Sequence, residues 1–362
     1  MIPLVKPYIA PKNEMIPAIE EVLYSGYIAE GESVYKFEHE FGEYIENPNI
    51  ICLNSGTAAL HIALSLLDIG VGDEVISTAL TAEPTNTTIA LTGASVVWAD
   101  VDPKTGLLNP DSVIEKITEK TKAIMLVHYA GMVCDMDEFI KISNNTGIPI
   151  IEDAAHALGS KYRKTPVGGT SRFTCFSFQA IKHMTTIDGG ALSFSKYEDI
   201  DLAKKLRWFG LDKSKPRLLN NITRVGFKYG MNNVNATIGS VQLKNLPNII
   251  DICKSNGRYF DDMLNNVSGI TLLPYSPNTE PSYWLYTMKV EKREEFIKMM
   301  EACGVSASPL HHRNDMHDVF ITSRCELPGL EQFYQKFIHI PCGWWVDEEI
   351  RKMIVDSIKK GW

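Results

Sequence analysis

The chain has 362 residues, of which 44% are hydrophobic and 22% are charged, and this length gives room for two domains with buried cores. A formal net charge of -8 and a pI near 5.7 argue against a nucleic-acid-binding protein, which needs a basic surface. No run of about 18 apolar residues could span a membrane, and the amino terminus lacks the apolar core of a signal peptide. We therefore expect a cytoplasmic protein without nucleic-acid or membrane partners.

The cysteines also indicate a reducing compartment. There are seven, an odd number, and they are scattered without a CxxC pair. Reduced, mostly buried thiols are the expectation, rather than a disulfide scaffold or a structural zinc site. HExxH and other metal-ligand spacings are also absent, so we predict no metal site.

The first half of the chain alternates between strand-like and helix-like segments. Predicted strands occupy 50–54, 74–78, 95–100, 123–131 and 149–154, and predicted helices occupy 55–68, 83–92 and 136–147. The strands are nearly continuous apolar runs, which is typical of strands buried on both faces. The pattern predicts an α/β fold with a mostly parallel sheet between two helical layers.

The pattern changes near residue 247. A strand at 284–290 and helices at 293–305 and 346–362 predict a smaller α+β unit. We therefore predict a large domain over 1–246, which includes an N-terminal arm, and a small C-terminal domain over 247–362. Residues 200–247 are expected to form a mostly helical connection between them.

The sequence NSGTAAL, residues 54–60, follows a predicted strand and opens a predicted helix. Free amides at a helix N-terminus attract anions, Gly56 permits close backbone approach, and Ser55 and Thr57 offer hydroxyl groups. The segment therefore either binds a phosphate or simply caps the helix. The dinucleotide fingerprint GxGxxG and the GxxxxGK[ST] loop are absent, so the phosphate need not belong to a nucleotide cofactor.

Two further segments carry ionisable residues at strand ends. In IIEDAAHALGS, residues 150–160, Asp153 ends a strand, where it could serve a ligand or cap a helix. In FTCFSFQAIKHMTTIDGGALSF, residues 173–194, Lys182 lies between two predicted strands. A phosphate site, an acid for a pyridinium nitrogen and a lysine for a Schiff base are what pyridoxal phosphate (PLP) requires. The three segments together predict a PLP enzyme.

Through nearly its whole length the chain resembles the DegT/StrS family of sugar aminotransferases. The resemblance rests on the three segments above and on SGYIAEGESVYKFEHEF (25–41), GDEVI (72–76), GASVVWADVDPKTG (93–106) and VGFKYGMNNVNATIGSVQL (225–243). It implies a PLP-dependent transferase of the aspartate-aminotransferase fold, fold type I. It also implies a large, mostly parallel mixed sheet and a smaller α+β C-terminal domain.

The resemblance also implies roles for individual residues. Lys182 matches the catalytic Schiff-base lysine, and Asp153 matches the catalytic partner of the pyridinium nitrogen. His156 lies where the family has Gln or His near the phenolic oxygen of the cofactor. Phosphate-binding positions are matched by Gly56, Thr57 and Ser177.

Three positions depart from the family pattern. Ala82 stands where the family places an aromatic residue over the cofactor ring, and Gly230 replaces an Arg. Lys228 replaces an Asn that in the family reaches the cofactor phosphate of the neighbouring subunit. The resemblance therefore implies a homodimer, in which Lys228 either binds the partner's phosphate or points into solvent.

The reaction implied is transfer of an amino group, usually from L-glutamate, to a nucleotide-linked keto-sugar. AIKHMTTIDGG (180–190) looks like the C-4 enzymes, which act on 4-keto-6-deoxyhexoses and make viosamine- or perosamine-type sugars. Alternatives are a C-3 aminotransferase, a PLP-dependent sugar dehydratase, whose members replace the lysine with His, and a non-catalytic PLP-binding regulator. The nucleotide base (dTDP, GDP or UDP) stays open.

Overall fold

The computed structural model describes all residues, 1–362. Its strands, in chain order, are β1 Ile50–Leu53, β2 Glu74–Ser77, β3 Ser95–Trp98, β4 Thr121–Val127, β5 Ile150–Asp153, β6 Lys161–Tyr162, β7 Thr165–Pro166, β8 Phe173–Ser177, β9 Gly190–Phe194, β10 Ile270–Leu272, β11 Thr279–Glu280, β12 Tyr286–Val290 and β13 Phe337–Ile340. Its α-helices are α1 Lys12–Tyr24, α2 Glu32–Tyr44, α3 Gly56–Leu66, α4 Glu83–Leu91, α5 Pro110–Lys116, α6 Met136–Thr146, α7 Glu198–Leu206, α8 Asn233–Leu264, α9 Arg293–Ala302, α10 Pro328–Tyr334 and α11 Glu348–Lys359.

The main sheet has seven strands in the order β1-β9-β8-β5-β4-β2-β3. Six strands run in the same direction, and only β9 is antiparallel to its neighbours β1 and β8. The mostly parallel sheet predicted from the strand–helix alternation is confirmed. The carboxyl ends of β1, β5 and β8 consequently meet at one edge, where open α/β sheets bind their ligands.

Alternate residues of each strand face opposite sides of this sheet. In β4, Ala123, Met125 and Val127 join an apolar cluster of 41 buried residues, whereas Ile124 and Leu126 join a second cluster of 33. Because helices cover both faces, these strands carry apolar residues on both of their sides. The sheet is therefore the shared wall of two cores.

A three-stranded antiparallel sheet, β10-β12-β13, forms the smaller unit with α9, α11 and the second half of α8. Helix α8 places Ala236 and Leu243 in one core of the large sheet, and Phe260 and Leu264 in the core of the small unit. The predicted boundary at 246/247 thus falls inside this helix. The division into domains 1–246 and 247–362 stays a prediction.

The connection over 200–247 was expected to be mostly helical, and α7 and α8 cover its two ends but leave residues 207–232 between them. Between α7 and α8 the chain carries only a short 3-10 turn, Arg217–Leu219. Pro216 precedes that turn, and Gly210 has φ +79°, a left-handed conformation that helices do not use. The expected helical connection is therefore found at both ends of 200–247 and is interrupted in the middle.

A buried arginine links three segments of the large unit. The guanidinium of Arg207 donates to Glu38 in α2, to Glu30 just before α2 and to the carbonyl of Cys52 in β1. Both partners of the Arg207–Glu30 pair are 3% exposed, so the charges are satisfied within the protein. These bonds fix the strand that leads into the predicted phosphate site.

Five of the cysteines are buried, and Cys303 and Cys325 are exposed. No helix combines the length and apolarity that crossing a membrane requires. No cluster of three or more His, Cys, Asp or Glu side chains has an arrangement that could hold a metal ion.

Candidate active site

The predicted phosphate-binding turn begins where β1 ends. Ser55 is the N-cap of α3, and its hydroxyl accepts a hydrogen bond from the backbone N–H of Ala58 at 3.0 Å. The N–H groups of Gly56 and Thr57 make no hydrogen bond within the chain. With the positive end of the α3 dipole behind them, these two donors could bind an anion.

The turn after β1 packs directly against the ends of β8 and β9. A Cβ atom added to Gly56 would lie 2.9 Å from the Cβ of Ser177, and one added to Gly190 would lie 2.5 Å from the carbonyl carbon of Ser55. Neither position has room for a side chain. This close approach brings the predicted residues Gly56, Thr57 and Ser177 to one place.

Asp153 ends β5 and is buried, 5% exposed. Its carboxylate accepts hydrogen bonds from the Thr85 hydroxyl at 2.7 Å and from the backbone N–H of Ala155 at 3.0 Å. Burial raises the pKa of Asp153, although these hydrogen bonds and the charge of Lys182 act in the opposite direction. The hydrogen bonds therefore do not fully compensate for burial, and a cationic partner would stabilise the ionised carboxylate.

Lys182 lies in the loop between β8 and β9. Its Nζ is 4.3 Å from the centre of the Trp284 ring, and the Trp284 indole N–H donates to the carbonyl of Ile181 at 2.9 Å. Burial lowers the pKa of Lys182 to about 8, while the charge of Asp153 acts to raise it. Consequently about a tenth of the amine is unprotonated and nucleophilic at pH 7, far more than for an exposed lysine.

His156 follows Asp153 and packs on Trp284, with ring centres 3.9 Å apart and planes 17° apart. The backbone N–H of Ala130 donates to its Nδ1 at 3.4 Å, which leaves the ring proton on Nε2. Burial, followed by the charge of Lys182, lowers the pKa of His156, so the ring is neutral. Its Nε2 is buried and has no hydrogen-bond partner in the chain.

These features fit pyridoxal phosphate. The unpaired N–H groups of Gly56 and Thr57 suit the phosphate, the carboxylate of Asp153 suits the pyridine nitrogen, and the unpartnered Nε2–H of His156 suits the phenolic oxygen. Lys182 supplies an amine of lowered pKa. The residues present can therefore hold the cofactor that the sequence predicts.

Lys228 occupies a different position from the other predicted residues. Its carbonyl accepts from the Asn54 side chain at 3.2 Å, next to the phosphate-binding turn, but its Nζ lies 3.5 Å from the centre of the Trp208 ring. Within its own chain the ammonium thus packs on an indole. A role for Lys228 in the phosphate site of a second subunit stays a prediction.

Sequence reasoning missed several residues of this site. Thr85 orients Asp153, and its hydroxyl is 2.8 Å from that of Thr81. Ala82, beside Thr81, is the N-cap of α4 and brings no aromatic ring. The aromatic side chain next to Lys182 is instead Trp284, which lies just before a strand of the small unit. Nothing in the local sequence of Trp284 distinguishes it from an ordinary core residue.

Comparisons with known proteins identify the family of the chain. A family model described as the DegT/DnrJ/EryC1/StrS aminotransferase family matches residues 10–359. The solved structure of the sugar aminotransferase CalS13 from Micromonospora echinospora is 32% identical, with a TM-score of 0.97 and complete coverage of both chains. Spr1654 from Streptococcus pneumoniae, solved in its PLP form, is 28% identical, with a TM-score of 0.90 over 99% of this chain and 98% of that one. The spore coat polysaccharide biosynthesis protein SpsC of Bacillus subtilis is 30% identical over 91% of this chain and 89% of its own.

The lowered pKa of Lys182 predicts how fast added PLP attaches covalently to the cofactor-free protein. Only the unprotonated amine attacks the aldehyde, so the rate should rise about tenfold per pH unit at low pH, reach half of its maximum near pH 8 and level off above it. Stopped-flow absorbance measures this rate, with Lys182→Ala as the blank. A rate that keeps rising to about pH 10, as expected for an exposed lysine, would contradict the prediction.

Asp153→Asn should separate stability from activity. Because burial raises the pKa of Asp153, its ionised form opposes folding of the cofactor-free protein once the pH exceeds that pKa. At pH 7 the cofactor-free variant should therefore melt no lower than the parent, while turnover falls at least ~10²-fold. The exposed Asp201→Asn is the matched control, and calorimetry and steady-state assays provide the two readouts. Parental turnover in Asp153→Asn would remove Asp153 from the mechanism.

Proposed function

The chain belongs to the DegT/DnrJ/EryC1/StrS aminotransferase family, and we propose that it transfers an amino group from L-glutamate to C-4 of a nucleotide-linked 4-keto-6-deoxyhexose. The coarser activity follows from that membership: the protein is a PLP-dependent sugar aminotransferase, EC 2.6.1.-, of fold type I. The proposal concerns the amino donor, the position on the sugar and the assembly of the protein.

The observation that favours amino transfer over dehydration is the amine of Lys182, whose pKa is lowered to about 8 by burial. Dehydratases of the same fold, as the resemblance implies, replace this lysine with His. His183 is adjacent in sequence, but its Nε2 lies 3.2 Å from the carbonyl oxygen of Ser282, and its ring is buried. The imidazole is therefore engaged elsewhere, while the amine of Lys182 remains available.

The residues of the site would act on protons at defined atoms. When bound, pyridoxal phosphate supplies an electron sink for the carbanion at the carbon that carries the amine. Lys182, whose pKa is about 8, would take the proton from the α-carbon of the donor and deliver it to C4′ of the cofactor in the same half-reaction. In the second half-reaction it would move a proton from C4′ to the sugar carbon that receives the amine. Asp153 would hold a proton on the pyridine nitrogen. His156 would donate from Nε2 to the phenolic oxygen.

The choice of C-4 rests on the loop between β8 and β9. Its sequence, AIKHMTTIDGG, looks like that of C-4 enzymes and lacks the PGKNLGALGDGG-like loop of C-3 enzymes. The product would be a viosamine- or perosamine-type sugar nucleotide. The similarity to SpsC, named for spore coat polysaccharide biosynthesis, supports a role in making a polysaccharide.

The proposal also includes a homodimer. Between α7 and α8, large apolar side chains are left on the surface of the single chain, including Leu218 at 98% and Val225 at 81% exposed. Exposed apolar residues grouped in one segment are typical of a contact surface. Lys228 lies three residues after Val225. A second copy of the chain that binds this surface would therefore place its cofactor site near Lys228 of the first copy.

A panel of dTDP-, GDP- and UDP-linked 4-keto-6-deoxyhexoses, assayed with L-glutamate, tests the substrate. We expect one of the three to be aminated at C-4, with the position established by NMR of the product. Lys182→Ala should form no product from the same sugar, since the variant lacks the amine that moves the proton. Amination of a 3-keto sugar but of no 4-keto sugar would reject the C-4 assignment.

Mixed dimers test the placement of Lys228. If Lys228 serves the partner's phosphate, Lys228→Ala alone should retain PLP less well than the parent. A mixture of Lys228→Ala and Lys182→Ala chains should regain activity, because one site of each mixed dimer carries both intact residues. Activity on mixing is measured together with sedimentation, which verifies the dimer. Mixed dimers that stay inactive would place Lys228 outside the partner's site.

A further inference from the structure

A loop of the small unit reaches the active site of the large unit. It follows α9 and is held by Asn314, which is fully buried. The side-chain amide of Asn314 donates to the carbonyl of Thr81 at 2.9 Å, and Asn86 donates to its side-chain oxygen at 2.9 Å. These bonds fix the loop to α4 and the residues just before it, next to the hydroxyl that orients Asp153.

His311 is the residue that this loop presents to the site. Its ring lies 5.9 Å from that of His156 with the planes 8° apart, and 6.1 Å from that of Tyr129 in an edge-on arrangement. Burial, followed by the charge of Lys182, lowers the pKa of His311 to about 4. At neutral pH the imidazole is therefore uncharged and lies within the electrostatic reach of the catalytic amine.

The Nε2 of His311 is buried and has no hydrogen-bond partner in the chain. The backbone around it is nevertheless held in place, since the Tyr334 hydroxyl donates to the carbonyl of His311 at 3.0 Å. The preceding residue, Leu310, has φ +66°, a left-handed conformation that a leucine adopts only at a cost. A buried unpaired nitrogen on a strained, firmly held loop is typical of a site completed by a ligand.

We propose that His311 binds the sugar substrate, with its Nε2 hydrogen-bonded to a hydroxyl or carbonyl oxygen of the hexose. A neutral imidazole is suited to sugar oxygens and, without a charge, is poorly suited to the carboxylates of glutamate. Of the two parallel histidines, His156 directly follows the strand that carries Asp153, whereas His311 comes from the small unit. We therefore assign His311 to the half-reaction with the sugar. The identity of that sugar rests on the proposed function.

Separating the two half-reactions tests this role. In His311→Phe the ring remains but the nitrogen is lost, so kcat/KM for the accepted 4-keto-6-deoxyhexose should fall at least ~10-fold. The single-turnover rate with glutamate, followed by the absorbance of bound PLP, should change less than ~2-fold. His311→Gln, which places an amide near the lost nitrogen, should recover part of the sugar reaction. Equal losses in both half-reactions, or no loss in either, would overturn the proposal.

His312→Phe is the matched control for these variants. His312 is exposed, and its ring packs edge-on against His317 at 5.3 Å rather than against the site. The control should therefore retain parental rates in both half-reactions. A defect in His312→Phe equal to that of His311→Phe would attribute the effect to the loop and reject a specific contact by His311.

Binding without turnover provides the second readout. Calorimetry with dTDP-, GDP- and UDP-glucose, which carry no keto group, compares Lys182→Ala with the Lys182→Ala/His311→Phe double variant. We expect the double variant to bind the preferred sugar nucleotide at least ~5-fold more weakly, with unchanged affinity for the free nucleotide. If the parent protein is inactive on all three 4-keto sugars, the proposed substrate is rejected but the role of His311 is not. If the two variants bind the sugar nucleotides with equal affinity, the role of His311 is rejected.

Discussion

The buried amine of Lys182 is the constraint around which the site is organised. A lysine stripped of water loses its proton more readily, and here its pKa falls to about 8. The same burial makes the nearby carboxylate of Asp153 costly to ionise. Both groups are held at one edge of the sheet by parallel strands and by a turn too crowded for side chains at Gly56 and Gly190. A bound cofactor would pair with both groups and so offset the cost of burying them.

Three histidines in and near this site are uncharged at neutral pH. Burial lowers the pKa of His183 and His339 to about 3 and that of His311 to about 4, and in His183 and His311 the charge of Lys182 adds to the effect. Imidazoles without charge can donate and accept hydrogen bonds without attracting anions. Of these three histidines, His311 keeps a ring nitrogen without a partner in the chain, so it could contact a hydroxyl group of a ligand, whereas the nitrogens of His339 bond to Thr287 and Tyr129.

The sequence predicted those parts of the molecule that have a local signature. Apolar runs gave the strands of the main sheet, and Gly56, Asp153 and Lys182 stand where those strands end, so their convergence could be inferred from parallel topology. Within the connection over 200–247, the middle departs from the expected helix because Gly210 takes a left-handed conformation and Pro216 begins a turn. Thr85, Trp284 and His311 could not be found because each joins the site through contacts distant in sequence, and distant contacts leave no periodic pattern.

Helix α8 has a consequence for how the chain folds during synthesis. Its first half completes a core that also contains Phe37 and Phe41 of α2 and strand residues such as Ile50, and its second half supplies Phe260 to the other unit. Until α8 leaves the ribosome, one face of the central sheet lacks part of its cover, and the apolar side chains there are open to association with other chains. Because the same helix belongs to both units, neither can become fully native before the other has begun to form. Nascent chains of this protein would depend on chaperones late in translation.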